Sequence, residues 1–267
     1  MLTLHHSPFS VASQKVRLAL AEKQLDWDDR LVDLLAGQHL QEDFLRLNPR
    51  AEVPVLEHDG HVLNESWFIC EYLEEAFLQH PLMPAAPVHR YAARQWNHWI
   101  ERELHHASGV VTYAVLARPL LLQQPPEVVE ALLKAIPDAS VRAWRASVLE
   151  HGLDAPQLKE SISRHHAFVR RMEKQLVDAH GWLAGPACSL ADLAALPYVM
   201  RADHVGLGSL MTFEESPNLR SWYLRMLSRP SMQASFVRYV DADLQSLMTQ
   251  LVVAAHPKLE QLIQTSD

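Results

Sequence analysis

Residues 49–75, PRAEVPVLEHDGHVLNESWFICEYLEE, decide the fold of this chain. Apolar pairs at 55–56 and 62–63 flank His-Asp-Gly-His, a pattern that predicts a hairpin with a glycine-containing turn. Pro54 cannot donate to a strand ladder, so it belongs at the very start of the first strand. The N–H and C=O of Val53 are then free to pair with another group, and a cis bond to Pro54 would turn them outward.

An apolar helix is predicted directly after the hairpin. Glu65 and Ser66 precede a run with helical period that includes Trp67 and Leu73. Ser66 would lie at the helix N-terminus, where free N–H groups and the helix dipole favour an anion such as a carboxylate. Taken singly, an N-cap at Ser66 and a strand start at Pro54 are the simpler interpretations. Together and in this order, these features predict a site for a small peptide, built largely from backbone.

The stretch LNPRAEVPVLEHDGHVLNESWFICEYLEE resembles the thioredoxin-like half of a cytosolic glutathione transferase. The N-terminus agrees with this resemblance, because residues 2–5 predict a short strand and SPFSVASQKVRLALAEKQL predicts a loop that leads into an amphipathic helix. Nearer the C-terminus, WLAGPACSLADLAALPYVM and SPNLRSWYLRMLSRPSMQASF resemble the family's helical half. The resemblance implies a thioredoxin-like α/β domain over residues 1–80, a linker at 81–88 and an all-helical C-terminal domain over 89–267.

The resemblance also implies which hydroxyl acts in catalysis. The family's catalytic residue stands six before the Val of the Val-Arg step, and it is serine in the theta, tau and zeta groups and cysteine in the omega group. Counting back from Val16 gives Ser10, whose hydroxyl would donate to the sulfur of bound glutathione and favour the thiolate. Ser13 is the rival, because a lignin β-etherase branch keeps a serine at that position. The alternative role for Ser13 is an N-cap of the first helix.

Both positions at which thioredoxins carry their active cysteines are serines in this chain, Ser10 and Ser13. Dithiol redox chemistry at this site is therefore excluded. Mixed-disulfide chemistry that uses the thiol of glutathione itself remains open.

The glutathione site implied by the resemblance extends over three further segments. LVDLLAGQHLQEDFLRLNP matches a second strand, a GQHL loop and a short helix, so that His39 would reach the glycyl carboxylate. The Val53 backbone would pair with the cysteinyl part, and Ser66 would help hold the γ-glutamyl end. The implied glutathione-binding set is Phe9, Gln38, His39, Glu52, Val53, Pro54, Glu65 and Ser66. Glu52 departs from the Gln or Lys common in relatives, and an anion there would either repel a carboxylate or hold the ligand ammonium group.

The second half of the chain is predicted to be helical after the Pro-rich break PLMPAAPVH. Helical periodicity runs over residues 88–118, 127–151, 157–181 and 244–264, with breaks at Pro137, Gly152 and Pro156. Ser189 and Asp192 form an S-x-x-D capping arrangement, for which we expect a structural role.

The segment LLKAIPDASVRAWRASVLEHGLD is similar to a segment of bacterial β-etherases that cleave aryl ethers with glutathione. This similarity makes one group of side chains candidates for binding an aromatic second substrate, either neutral or anionic. The candidates are Tyr113, Arg118 and Trp144, with Arg142 and Arg145 beside them. The alternative is that each of them packs an enlarged helical domain or forms surface ion pairs.

Composition limits the classes of function. The 267 residues carry a formal net charge of −8, which argues against a nucleic-acid footprint. No signal peptide or uncharged apolar run of about twenty residues is present, so a cytoplasmic location is expected. Cys70 and Cys188 are predicted to be reduced structural thiols. The chain has 16 histidines, but their doublets lack metal-ligand spacing, and no metal site is predicted.

The sequence therefore predicts a homodimeric glutathione transferase, in which glutathione is the co-substrate and the thiolate attacks an aromatic electrophile or an aryl ether. Glutathione-dependent reduction of disulfides or peroxides is the alternative reaction. A non-catalytic binding or interaction protein of the same superfamily is the alternative class.

Overall fold

The computed structural model describes residues 1–178, 181–212, 214–240 and 242–266. Its N-terminal part contains a four-stranded sheet of β1 (Leu2–His6), β2 (Asp28–Leu31), β3 (Val55–His58) and β4 (His61–Leu63), in the order β2-β1-β3-β4. Strand β1 is parallel to β2 and antiparallel to β3, and β3 is antiparallel to β4. This mixed topology is that of the thioredoxin-like domain expected from the sequence.

The predicted hairpin forms at β3 and β4. Asp59 and Gly60 at its turn have φ values of 49° and 82°, the pair of positive angles that favours an Asp-Gly turn. The second strand differs in position from the prediction, because β2 ends at Leu31, where the segment matched to that strand begins. The chain beyond Leu31 turns instead into the loop that carries residues 36–41.

Three helices complete the N-terminal part: α1 (Val11–Glu22), α2 (Glu42–Leu47) and α3 (Ser66–Ala76). Helix α1 is central, because it packs against α3 and also against helices of the C-terminal part. Its residues Val16, Leu18 and Leu20 are fully buried. The same helix whose first residue follows Ser10 therefore lies on the boundary between the two parts.

The C-terminal part is all-helical, as predicted. Its helices are α4 (Pro87–Trp99), α5 (His105–Thr112), α6 (Arg118–Leu121), α7 (Pro126–Ala135), α8 (Ala139–His151), α9 (Gln157–Asp178), α10 (Leu190–His204), α11 (Pro217–Leu227), α12 (Ser231–Ser235) and α13 (Ala242–Thr265). Single π-helical turns at Ile100–Leu104 and Tyr113–Ala117 join α4, α5 and α6 into one continuous helical run. Short 3₁₀ turns occur at Gln38–Leu40, Gly152–Asp154, Gly208–Met211 and Val237–Tyr239.

Proline lies at the boundaries of several helices. Pro87 is the first residue of α4, which therefore begins inside the predicted linker, and Pro137 lies between α7 and α8. The helix predicted over residues 157–181 forms as α9 through residue 178, while residues 179–180 lie outside the described ranges.

The predicted capping arrangement forms at the start of α10. The Asp192 carboxylate, which is 0% exposed, accepts the Ser189 N–H at 2.9 Å and the Ser189 hydroxyl at 3.0 Å. It also accepts the Leu183 N–H at 3.1 Å and the Trp222 Nε1–H at 2.8 Å. Asp192 therefore joins α10, α11 and the preceding loop, which is the structural role expected for it.

The segment after α11 attaches the two parts of the molecule to each other. Arg229 makes two hydrogen bonds of 2.6 Å to Glu22 at the end of α1, and Tyr239 donates to Asp29 on β2 at 2.8 Å. Arg17 on α1 donates to the Ser235 carbonyl at 2.8 Å. One hydrophobic core runs through both parts. The relative position of the two parts is thus set by packing together with buried polar contacts.

Candidate active site

The loop that precedes α1 is held by two buried arginines. Arg17 donates to the carbonyls of residues 7 and 8 at 3.1 and 3.0 Å. Arg201, on α10 of the helical part, donates to the Phe9 carbonyl. Three successive carbonyls before Ser10 therefore accept hydrogen bonds from guanidinium groups, which places the Ser10 side chain firmly at the start of α1.

Ser10, and not Ser13, is the N-cap of α1. The Ser10 Oγ accepts the Ser13 N–H at 3.2 Å, so the expectation of an N-cap at Ser13 is wrong. The Ser13 side chain is 0% exposed, and its Oγ accepts the Ser7 N–H at 3.4 Å. Ser10 is partly exposed and uses its oxygen only as an acceptor among the described residues, so its O–H is available to an acceptor in the cleft.

Positive charge surrounds the N-terminus of α1. Burial lowers the pKa of Arg17 and of Arg201 to about 10, so both guanidinium groups keep their charge at neutral pH. Each is hydrogen-bonded mainly to neutral groups. Together with the helix dipole, these charges favour an anion beside Ser10.

The Val53-Pro54 bond is cis. Val53 precedes β3, and its N–H and C=O make no hydrogen bond within the part of the chain that the structure describes. These two groups form a short free edge next to the sheet, able to pair with an extended peptide.

Helix α3 begins at Ser66, and Glu65 is its N-cap residue, with a φ of 68°. The alternative reading of Ser66 as a simple N-cap is therefore not what the structure shows. Arg50 lies between two carboxylates, 2.8 Å from Glu65 and 3.2 Å from Glu52. Glu52, Glu65 and the start of α3 thus form one polar edge of the cleft.

His39 lies in the 3₁₀ turn after β2 and is only 6% exposed. Burial, with a smaller effect of the Arg145 charge, lowers its pKa to about 4, so the imidazole is neutral at neutral pH. Its Nδ1 is buried without a hydrogen-bond partner among the described residues. Gln38 is exposed and accepts the Asp33 N–H at 2.8 Å, so its amide stabilises the loop itself.

Helix α7 lies against the loop that carries His39. Gly37 has a φ of 72°, and a Cβ atom there would lie 2.4 Å from the Leu132 Cδ2 of α7. Helix α7 therefore packs directly on the loop that carries His39. The helical segment predicted to hold the second substrate also covers one end of the implied glutathione site.

Two of the three predicted substrate-binding residues are brought together. The rings of Tyr113 and Trp144 meet edge to face with centroids 5.6 Å apart, and His106 meets Trp144 in the same way at 5.4 Å. Arg118 does not join them, because its Nε donates to the Leu149 carbonyl at 2.8 Å at the end of α8. Arg118 therefore fits the structural alternative.

A buried polar cluster next to α1 has no local sequence signal. Lys15 is buried, is paired with Glu101, and lies 5.4 Å from the Tyr198 ring centroid. The Tyr198 hydroxyl is 2.7 Å from the His105 Nδ1. Arg201 was also missed, although a single arginine in the apolar helix α10 is a sign of a buried cation that needs partners.

No group of side chains suited to hold a metal ion occurs among the described residues. Within the same residues, no helix is long and apolar enough to cross a bilayer. Both Cys70 and Cys188 are free thiols, and burial raises the pKa of Cys70 to about 12, so this thiol is not poised for nucleophilic chemistry.

Comparisons with known proteins agree with this geometry. Family models for the glutathione S-transferase N-terminal and C-terminal domains match residues 4–81 and 127–230. Protein LigF of Sphingobium sp. (strain NBRC 103272 / SYK-6) is 28% identical over 239 residues, which cover 87% of this chain and 91% of that protein. Glutathione S-transferase 3 of Zea mays is 31% identical over 236 residues, which cover 87% of this chain and 91% of that protein.

A solved structure confirms the fold. The crystal structure of beta-etherase LigF from Sphingobium sp. strain SYK-6 aligns with a TM-score of 0.80 at 27% identity, covering 89% of this chain and 99% of that one. With both domain models matched in order and the maize relative similar over most of its length, this chain belongs to the glutathione S-transferase family and uses glutathione as its co-substrate.

Proposed function

We propose that this glutathione transferase activates the glutathione thiolate with the Ser10 hydroxyl and directs it at an aromatic second substrate. The observation that carries the proposal is the position of Ser10, partly exposed at the N-terminus of α1 with its O–H unused by the described residues. A hydroxyl that donates to sulfur there favours the ionised form, and the charges of Arg17 and Arg201 act in the same direction.

Glutathione is proposed to lie along the free edge at Val53. Its cysteinyl part pairs with the Val53 N–H and C=O, and its γ-glutamyl end lies at Glu65 and Ser66, where the α3 dipole favours the carboxylate. The Glu52 carboxylate belongs to the same edge and suits the ligand ammonium group.

The second substrate is proposed to be an aryl ether held against the rings of Tyr113 and Trp144. The thiolate attacks the carbon that bears the ether oxygen, so that a C–S bond forms and the C–O bond breaks. The aryloxide leaves with the electron pair and takes a proton. This chain is similar to a protein described as a beta-etherase over nearly the whole length of that protein, which supports this reaction.

The reaction type is tested by turnover with glutathione on a panel of four acceptors: a β-aryl ether, an aryl halide, a disulfide and a peroxide. We expect the β-aryl ether to be cleaved with release of one phenol for each glutathione conjugate formed. Product analysis by liquid chromatography and mass spectrometry measures both products.

An outcome in which only the disulfide or the peroxide reacts would replace ether cleavage by glutathione-dependent reduction. If no acceptor reacts and calorimetry detects no glutathione binding, the catalytic proposal fails. That result would favour a non-catalytic binding or interaction protein of the same family.

A homodimer in the cytosol is also proposed. Helices α3 and α4 are adjacent, since Arg94 donates to Glu71 at 2.7 Å, and they present Phe68, Val88 and Tyr91 at 65%, 66% and 64% exposure. Exposed apolar side chains on one face are typical of protein–protein interfaces. Sedimentation velocity that gives a monomer at micromolar concentration would contradict the dimer.

The proposed location in the cytosol is supported by the free thiols and the use of glutathione, which fit a reducing compartment. Cell fractionation tests this location.

A further inference from the structure

Arg145 on α8 projects a cation onto the aromatic pair of the cleft. Its guanidinium carbon lies 5.7 Å from the Tyr113 ring centroid and 5.5 Å from the Trp144 centroid. Tyr113 and Trp144 also contact each other, so the three side chains form one cluster. A cation over aromatic faces is attracted to them, and a guanidinium held in this way keeps N–H groups with which it can bind a further partner.

Among the described residues, no anion lies within ion-pair distance of this cation. Arg145 makes no ion pair or hydrogen bond within the described ranges, and its Nε is buried without an acceptor. A guanidinium stays charged at any physiological pH, and a desolvated charge without a partner is costly. An arginine in this state is therefore suited to receive an oxyanion from a ligand, since its N–H fork matches carboxylate and similar groups.

Arg145 lies between the aromatic pair and the implied glutathione site. On one side lie the rings proposed to hold the aromatic substrate. On the other side, the charge of Arg145 reaches the implied glutathione site, where it affects His39 and Glu52. Helix α7, which lies next to α8, packs directly on the loop that carries His39.

We propose that Arg145 is an oxyanion-binding residue at the junction of the two domains, which receives a carboxylate or aryloxide oxygen of a bound substrate. Two sources of that group fit the position: the glycyl carboxylate of glutathione, next to His39, and an acidic or leaving oxygen of the aromatic substrate, next to Tyr113. The inference rests on the proposed function for the identity of these substrates.

The experiment compares the parent with Arg145→Met and Arg145→Lys. Methionine keeps apolar contact with the rings and removes the charge, whereas lysine keeps the charge and loses the planar fork. Lys134→Met, which removes an exposed cation from α7, is the matched control. Thermal unfolding of each variant verifies that it is folded, and Arg145→Gln, which also removes the charge, replaces Arg145→Met if that variant does not fold.

Two pairs of ligands distinguish the sources. Calorimetry measures the affinity for glutathione and for its glycyl ethyl ester, which lacks that carboxylate. Steady-state kinetics then measure kcat/KM for a β-aryl ether that bears a carboxylate and for its neutral amide. Loss of a charge-assisted hydrogen bond corresponds to a decrease of about tenfold to a hundredfold.

Weaker binding of glutathione by Arg145→Met, with the ester unaffected, assigns the oxyanion to the glycyl carboxylate. Unchanged glutathione affinity with a lower kcat/KM for the acidic ether alone assigns it to the aromatic substrate. An equal effect on both members of each pair, or none, overturns the proposal.

The failure of this inference is distinguishable from that of the proposed function. The proposed function fails if the parent itself neither binds glutathione nor turns over an acceptor. The Arg145 inference fails when the parent is active and Arg145→Met shows no charge-dependent difference. The calorimetric pair requires no turnover, so it tests Arg145 even where no acceptor reacts.

Discussion

Exchange of Ser10 for glycine is expected to raise the pKa of the bound glutathione thiol by about 1 to 2 units and to lower kcat/KM at neutral pH by about tenfold to a hundredfold. This loss of activity is expected because the exchange removes a hydroxyl at the start of α1 that is partly exposed and donates no hydrogen bond to the described residues. Since a higher pH restores the thiolate without the hydroxyl, the kcat/KM of this variant should recover as the pH is raised. Ultraviolet absorbance of the thiolate during a pH titration measures the thiol pKa directly.

Glycine is the informative exchange because Ser10 has two roles. As an N-cap it stabilises α1, and replacement of a serine cap by alanine typically costs about 1 kcal/mol, whereas glycine costs only a few tenths. Ser10→Gly therefore removes the hydroxyl while it largely preserves the helix, and Ser10→Thr keeps both functions as the positive control.

Ser13→Ala separates the two serines. Ser13 is fully buried and accepts the Ser7 N–H, so its loss should leave the thiol pKa unchanged. A raised thiol pKa in Ser13→Ala with no change in Ser10→Gly would transfer the role to Ser13. No change in either variant would contradict activation by a serine hydroxyl.

Exchange of Asp192 for alanine is expected to lower the free energy of unfolding by about 3 to 5 kcal/mol. The Asp192 carboxylate is fully buried and accepts four hydrogen bonds, two from Ser189 and one each from Leu183 and Trp222. Its removal leaves buried donors without an acceptor and a space beside the Trp222 indole. Urea unfolding followed by tryptophan fluorescence measures the change.

Asp138→Ala is the control, because Asp138 caps a helix as an exposed residue whereas Asp192 is buried. Asp138 caps α8 with hydrogen bonds to the Ser140 and Val141 N–H groups, but it is exposed, so water replaces these bonds after the exchange. The decrease in the free energy of unfolding should be much smaller for Asp138→Ala than for Asp192→Ala. Equal decreases in the free energy of unfolding would show that burial of the Asp192 network contributes little to stability. Unchanged turnover by the folded fraction of Asp192→Ala would confirm that the role of Asp192 is structural.

Local patterns explain why much of the fold was predictable. The hairpin of β3 and β4 depends on an Asp-Gly turn between apolar pairs, and the start of α10 depends on Ser189 and Asp192 three residues apart. Proline breaks place the ends of α7 and the start of α4 within a few residues. Such features act between residues close together in the chain, so the sequence displays them directly.

The candidate site was only partly predictable. The start of α1 was expected, but Ser13 was the residue considered as its N-cap, because either serine satisfies the local pattern and only the path of the loop selects Ser10. Arg118 was grouped with Tyr113 and Trp144, yet it bonds to the end of α8. A side chain as long as arginine reaches several alternative partners, and sequence spacing does not select among them.

By itself, the sequence determined the thioredoxin-like and helical architecture, the presence of serine at both positions 10 and 13, and the backbone edge at Val53. Tertiary structure alone decided that Arg201 reaches the Phe9 carbonyl across 192 residues of chain, and that the Arg145 guanidinium lies over the rings of Tyr113 and Trp144. The reason is physical: caps, turns and periodicity are local, whereas a buried cation takes its partners from whichever distant segments packing brings within reach.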